Sequence, residues 1–270
     1  MKLEVRSHPG AGGHTRPPLL FVHGAAHAAW CWDEHFLPWF AAEGYSVSAV
    51  SLRGHGGSDG ADVLRWSSLA DYVDDVRSVA LGFAASPVLI GHSLGGLVVQ
   101  KYLEQYDAAG AVLLAPSPVR GMLRPGLRLL GSHPLAFLRT FLRLDPGVLF
   151  ATPDRARHLL FSPGTRSATI DRHAPRLGRE SFRALLDMTF NLPRIEQIRR
   201  GRCPMLVVGA GRDGIVPADA IEATARAYGA TYAVVPDSGH DLMLDEQWEL
   251  AAGRIREWLT SSTGIPPSFP

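Results

Sequence analysis

The chain has 270 residues, 46 % hydrophobic and 20 % charged, enough to bury one substantial core without disulfide or metal staples. Two distant cysteines, Cys31 and Cys203, and a net charge of +1 argue against a disulfide framework, a cysteine-based metal site and a nucleic-acid-binding surface. Residues 1–18 hold no continuous apolar leader and no apolar run reaches bilayer length, so a cytoplasmic, soluble protein with no transmembrane segment is expected.

Short apolar runs alternate with helical patterns along most of the chain. Residues 18–22, 46–50, 88–90 and 111–114 read as buried strands, and 205–208 and 231–235 follow late; residues 3–6 are a candidate edge strand. Between them, 33–42, 67–83, 94–105, 218–228 and 246–259 carry helical spacing. The second of these opens on the cap candidates Ser67 and Ser68 and places Asp71, Asp74 and Asp75 in its N-terminal half, where the helix dipole favours them. The order predicts an α/β fold, a mostly parallel doubly wound sheet with helices on both faces.

The alternation stops near residue 117 and resumes at 204. Between lie apolar and arginine-rich segments broken by prolines from Pro125 to Pro193, with short helices expected around 134–142, 154–160 and 179–188. We read 117–203 as a helical cap inserted into a core made of 1–116 and 204–260, with a tail at 261–270. The cap holds 16 arginines, no lysine and 6 acidic residues, a net +10; the rest of the chain carries 11 basic and 20 acidic residues, a net −9. The plain reading is a basic lid held against an acidic body, most of its arginines solvated. The sharper one is a lid that draws anionic substrates.

Gly91-His92-Ser93-Leu94-Gly95 joins the strand at 88–90 to the helix that starts at Leu94. This is the nucleophile-elbow pattern, a tight turn that strains the serine backbone and lifts its hydroxyl clear of the sheet. A serine hydroxyl is a poor nucleophile at neutral pH, so it needs a base in reach and an orienter behind that base. Of eleven histidines, His240 is the best placed, on the loop after the last strand. Strand carboxyl ends of such a sheet face one crevice, so that loop reaches Ser93. Asp213 follows the strand at 205–208 and completes the chain order Ser, Asp, His. Asp237 and Asp241 stand too close to His240 in sequence to orient it across the site, and the His92 side chain should point away from the nucleophile. For an oxyanion, backbone N–H groups are expected from Leu94, at the start of its helix, and from Ala25 in the turn after the strand at 18–22, with Ala26 as the fallback.

With Val22-His23-Gly24, Arg53-Gly54-His55-Gly56-Gly57-Ser58, Gly91 to Gly96, Gly211-Arg212-Asp213 and Gly239-His240 in this order, the chain resembles α/β-hydrolase fold enzymes. The stretch from His23 to Trp32 is similar to plant methylesterases and hydroxynitrile lyases. The Arg53 to Ser58 motif and the basic cap look more like bacterial esterases and lysophospholipase or monoglyceride-lipase relatives. Serine at 93 departs from epoxide hydrolases and haloalkane dehalogenases, which carry aspartate there.

The resemblance and the motifs together imply a cofactor-free, metal-free serine hydrolase acting on a small-molecule carboxylic ester or related acyl compound. Catalysis would rest on Ser93, Asp213 and His240, with Ala25 and Leu94 as the oxyanion hole. The same triad could serve C–C bond hydrolysis, cyanohydrin cleavage or cofactor-free oxygenation, or the cavity could act as a non-catalytic receptor. Trp30, Phe137, Phe141, Met188 and Phe190 are candidate substrate contacts, although each fits an ordinary core equally well. Oligomeric state has no signal in the sequence.

Overall fold

A computed structural model describes residues 1–10 and 16–262, so most of the expected tail at 261–270 lies outside the described residues. Seven strands form one sheet: β1 Val5–His8, β2 Leu19–Val22, β3 Val47–Val50, β4 Val88–His92, β5 Gly110–Leu114, β6 Met205–Ala210 and β7 Thr231–Val235. Their order is β1-β3-β2-β4-β5-β6-β7. β1 runs antiparallel to β3, and the pairs from β3 across to β7 are parallel. The inner strands are buried at every position, which is why they read as unbroken apolar runs; the edge strands β1 and β7 are partly exposed.

The helices are α1 Trp30–Asp33, α2 Phe36–Ala42, α3 Leu69–Ala80, α4 Leu94–Tyr102, α5 Leu123–Ser132, α6 Pro134–Arg143, α7 Pro153–Leu160, α8 Ser167–His173, α9 Phe182–Phe190, α10 Ile195–Arg200, α11 Ala218–Tyr228 and α12 Trp248–Ser262. The sequence predicts a single helix over 33–42, where two short ones stand. Pro38 has no N–H to offer the Glu34 carbonyl, so the ladder breaks and restarts at Phe36. α3 begins one residue after Ser68, whose hydroxyl accepts the Asp71 N–H while the Asp71 carboxylate accepts the Ser68 N–H. α4 lies against β2, β4 and β5, α2 against β1 and β3, and α11 and α12 against β6 and β7. Cys31 and Cys203 are free thiols, the first buried and the second half-buried.

Helices α5 to α10 fill the long connection between β5 and β6. α6, α7 and α9 fall where helical spacing predicts them, α9 shifted so that Ser181 caps it through the Ala184 N–H. α5 was not among the expected helices, because Pro125 reads as a break in that segment. Proline is tolerated in a first turn, where its missing N–H has no partner to lose.

The topology creates the crevice. The chain leaves β2 to build β3 on one side and returns to build β4 on the other. The turns after β2 and β4 therefore open side by side, and ligands of open α/β sheets bind where the strand order reverses.

Candidate active site

Ser93 follows β4 with φ +50° and ψ −114°, a backbone conformation that costs energy for any residue with a side chain. Two backbone hydrogen bonds hold it there: its N–H donates to Leu114 O at 3.0 Å, and its carbonyl accepts the Ser117 N–H at 3.1 Å. Ser93 occupies the N-cap position of α4, yet unlike Ser68 its side chain makes no capping bond. Among the described residues Ser93 Oγ has no hydrogen-bond partner. Gly95 permits the nesting of elbow and neighbouring turn, since a Cβ there would strike the carbonyl oxygens of Val22 and His23.

β6 and β7 pair up to Ala210 and Val235, and the link continues past the strands. Gly211 N–H donates to Val235 O and Arg212 N–H to Ser238 O, each at 2.9 Å, so the loops bearing Asp213 and His240 are tied together. His240 Nδ1 donates to Asp213 Oδ2 at 2.8 Å, and both side chains are buried. Asp213 Oδ1 is anchored by the N–H groups of Ile215 and Val216, each at 2.8 Å. Burial alone would push the His240 imidazole down. The Asp213 charge and hydrogen bond outweigh it and hold the imidazole above the usual histidine range.

The two rejected carboxylates point elsewhere. Asp241 pairs with His27 Nε2 at 3.1 Å, and Asp237 is exposed beside Arg212. The His92 ring lies 4.9 Å from that of His240 and donates through Nε2 to the His240 carbonyl at 3.0 Å. Burial and the neighbouring His240 hold it down to about 3, so it stays neutral and serves to hold the histidine loop.

β2 and β4 are parallel neighbours, with Val22 opposite Gly91, which brings the turn after β2 against the elbow. A Cβ on Gly24 would lie 3.1 Å from Ser93 Cβ and 2.6 Å from His92 Nδ1, so only glycine fits this gap. Ala25 and Ala26 are distinguished by their partners. The Ala26 N–H donates to Glu180 Oε2 at 3.0 Å, and the Ala26 carbonyl accepts the Gly178 N–H at 2.8 Å. The Ala25 N–H has no partner among the described residues, and neither has the N–H of Leu94, which as first residue of α4 lacks an intrahelical acceptor. His27 Nδ1 donates to the Ala25 carbonyl at 2.8 Å and fixes that peptide from its other side.

Sequence reasoning missed Glu180. This cap residue is fully buried and accepts from Ala26 N–H, from His55 Nε2 at 3.2 Å, from Tyr72 Oη at 2.8 Å and from Ser181 N–H at 2.6 Å. Burial works against its charge, but His55 and the other donors outweigh it and hold the carboxyl down to about 2. A lone glutamate in an arginine-rich segment carries no local pattern that would single it out. Its partner His55 stands in the Arg53 to Ser58 motif, which is structural: Arg53 grips Asp71 and Asp75, and His55 docks the cap.

The candidate substrate contacts separate. Trp30 is buried, stacked on His27 and His173 with the Arg176 guanidinium 4.1 Å over its ring, which is packing between α1 and the segment at 173–176. Phe137, Phe141 and Phe190 line a cavity of about 260 Å³ whose walls come from residues 122–190 alone, without Ser93 or His240. Met188 is buried and is not on that wall.

Residues 19–253 match the model of the Alpha/beta hydrolase family. The chain belongs to that family. Among the relatives of this alpha/beta hydrolase, a monoacylglycerol lipase of Mycolicibacterium smegmatis is 25 % identical over 272 residues, covering 91 % of this chain and 89 % of its own. Methyl jasmonate esterase 1 of Vitis vinifera is 30 % identical over 90 residues, so the chain spans about a third of that relative's length, with 33 % of this chain and 34 % of the other in the match. A thermophilic esterase from Thermogutta terrifontis has the same fold, with a TM-score of 0.70 at 24 % identity over 96 % of this chain and 93 % of the other.

Proposed function

We propose that this alpha/beta hydrolase cleaves carboxylic esters or related acyl compounds through an acyl-enzyme on Ser93. The observation that supports the reading is the 2.8 Å hydrogen bond from His240 Nδ1 to Asp213, which favours the tautomer that leaves Nε2 free to accept a proton. Ser93, with its hydroxyl left free at the same rim, is the nucleophile. His240 Nε2 takes the proton as Oγ attacks the acyl carbon and returns it to the departing alcohol. Asp213 stabilises the imidazolium between those steps. The N–H groups of Ala25 and Leu94 bind the oxyanion, and water, activated by the same imidazole, releases the acid.

Residues 117–203 act as a cap over a catalytic core made of 1–116 and 204–260. The esterase and lipase relatives support ester hydrolysis in general, and no step requires a cofactor. p-Nitrophenyl esters of graded acyl length test the reading: turnover, with an initial burst of nitrophenol where deacylation is slow, supports it. An inactive ester series alongside cleavage of a β-diketone or cyanohydrin would move the same residues to a different reaction.

A further inference from the structure

The cap carries an apolar face that its own core does not use. On α6, Leu135, Leu138 and Leu142 recur at helical spacing and are 68, 54 and 74 % exposed, and Phe190 at the end of α9 is 79 % exposed. Single exposed leucines need no explanation, but three at this spacing share one side of α6, separate from the side that carries Phe137 and Phe141. Leu127 of α5, Phe141 of α6 and Phe190 line the 260 Å³ apolar cavity together, so three helices share one groove.

The charge on α5 and α6 has one sign. Residues 117–144 contain five arginines and no aspartate or glutamate. Arg124 reaches Asp219 at 3.2 Å, whereas Arg120, Arg128, Arg139 and Arg143 have no carboxylate partner among the described residues. Here the basic excess is not absorbed by the acidic body, as it is where Arg166 meets Glu246 and Arg172 meets Glu34. α5 also lines a second cavity: Arg128 joins Arg157, His158, Arg212 and Asp213 around an open cleft of about 690 Å³. One helix thus places leucine in an apolar groove and arginine on the wall of a second cleft.

We infer that this face of the cap docks on an anionic lipid bilayer, with the leucine and phenylalanine side chains entering the acyl boundary and the arginines reaching headgroup phosphates. Amphipathic helices that lie in a membrane interface carry this combination of residues, and guanidinium groups pair with phosphate through two parallel hydrogen bonds. A second copy of the chain fits less well, because two-fold pairing would press two acid-free, arginine-lined faces together. The contact is peripheral, since no helix among the described residues is long and apolar enough to cross a membrane.

Flotation of the full chain with vesicles tests this without turnover, so its outcome is independent of the ester reading. We expect binding to phosphatidylcholine vesicles containing phosphatidylglycerol, little binding to phosphatidylcholine alone, and loss of binding as salt rises. The double variant Arg139→Gln/Arg143→Gln should partition about 30-fold more weakly, from roughly fivefold per basic residue at an anionic surface. Leu135→Ser/Leu142→Ser should also weaken binding, with hydrolysis of a short soluble ester unchanged in both. Equal binding to neutral vesicles, no binding at all, or indifference to both variants would overturn the inference. So would a concentration-dependent dimer dissolved by the leucine variant, or retention on polyglutamate as strong as on the anionic vesicles.

Discussion

Glu180, in the long connection between β5 and β6, accepts the backbone N–H of Ala26 at 3.0 Å, one residue past the Ala25 N–H proposed for the oxyanion. Gly178 grips the carbonyl of the same residue at 2.8 Å, and Ala26 is held at φ +63°. Residues 178 and 180 therefore hold the turn after β2 in place. Glu180→Ala should cost about 3–5 kcal/mol of stability, because it leaves the buried His55 without its counter-charge. It should also lower kcat by about 10²-fold, the scale of one lost oxyanion donor, with a smaller change in KM. Thermal unfolding and steady-state kinetics of the variant check both.

The Glu180–His55 pair has its own pH signature. Glu180 drops from an ordinary 4.5 to about 2, so its stabilisation is complete above about 4.5 and is lost as pH falls toward 2. His55 is raised above 6.5: burial opposes its charge, but Glu180 outweighs that. Its share is complete below about 6.5 and fades as pH climbs through the raised value. The stability gap between wild type and Glu180→Gln should therefore peak between these limits. Urea unfolding across the pH range measures it, and a flat gap contradicts the pairing.

The base must be neutral to accept the serine proton, and Asp213 raises the value at which His240 becomes neutral. The acid limb of kcat/KM should therefore lie above the pH typical of an unperturbed histidine. Asp213→Asn should move the limb to lower pH and reduce kcat by about 10⁴-fold. A limb that stays in place would mean that Asp213 does not govern the imidazole.

Gly24→Ala should reduce activity far more than it reduces stability. The added methyl would lie 3.1 Å from Ser93 Cβ and 2.6 Å from His92 Nδ1, so the turn must shift away from the elbow. A loss of about 10²-fold in kcat is expected from a misplaced Ala25 N–H. Kinetics beside a melting curve separate the two effects.

Much of this architecture was legible in the sequence because buried parallel strands leave unbroken apolar runs, and β7 and α11 appear with the bounds that the pattern predicts. The loops that carry Asp213 and His240 were legible for the same reason: each follows a recognisable strand, and the sheet brings strand ends together. Where the sequence fell short, the contact was long-range. Nothing near residue 180 marks that glutamate, because its role depends on Ala26, His55 and Tyr72, brought to it by the fold. α5 stayed hidden behind Pro125, since a first-turn proline and a helix-breaking proline look alike in sequence. That the Ala26 N–H is taken by Glu180 was likewise invisible in the sequence, which offered Ala25 with Ala26 as the fallback.

The most direct test of the account is intact-mass analysis after exposure to a fluorophosphonate, with peptide mapping of any adduct. We expect rapid labelling by one equivalent at Ser93, abolished in Ser93→Ala together with at least about 10⁴-fold of the ester turnover. Labelling at another residue, or full turnover by Ser93→Ala, would contradict the account.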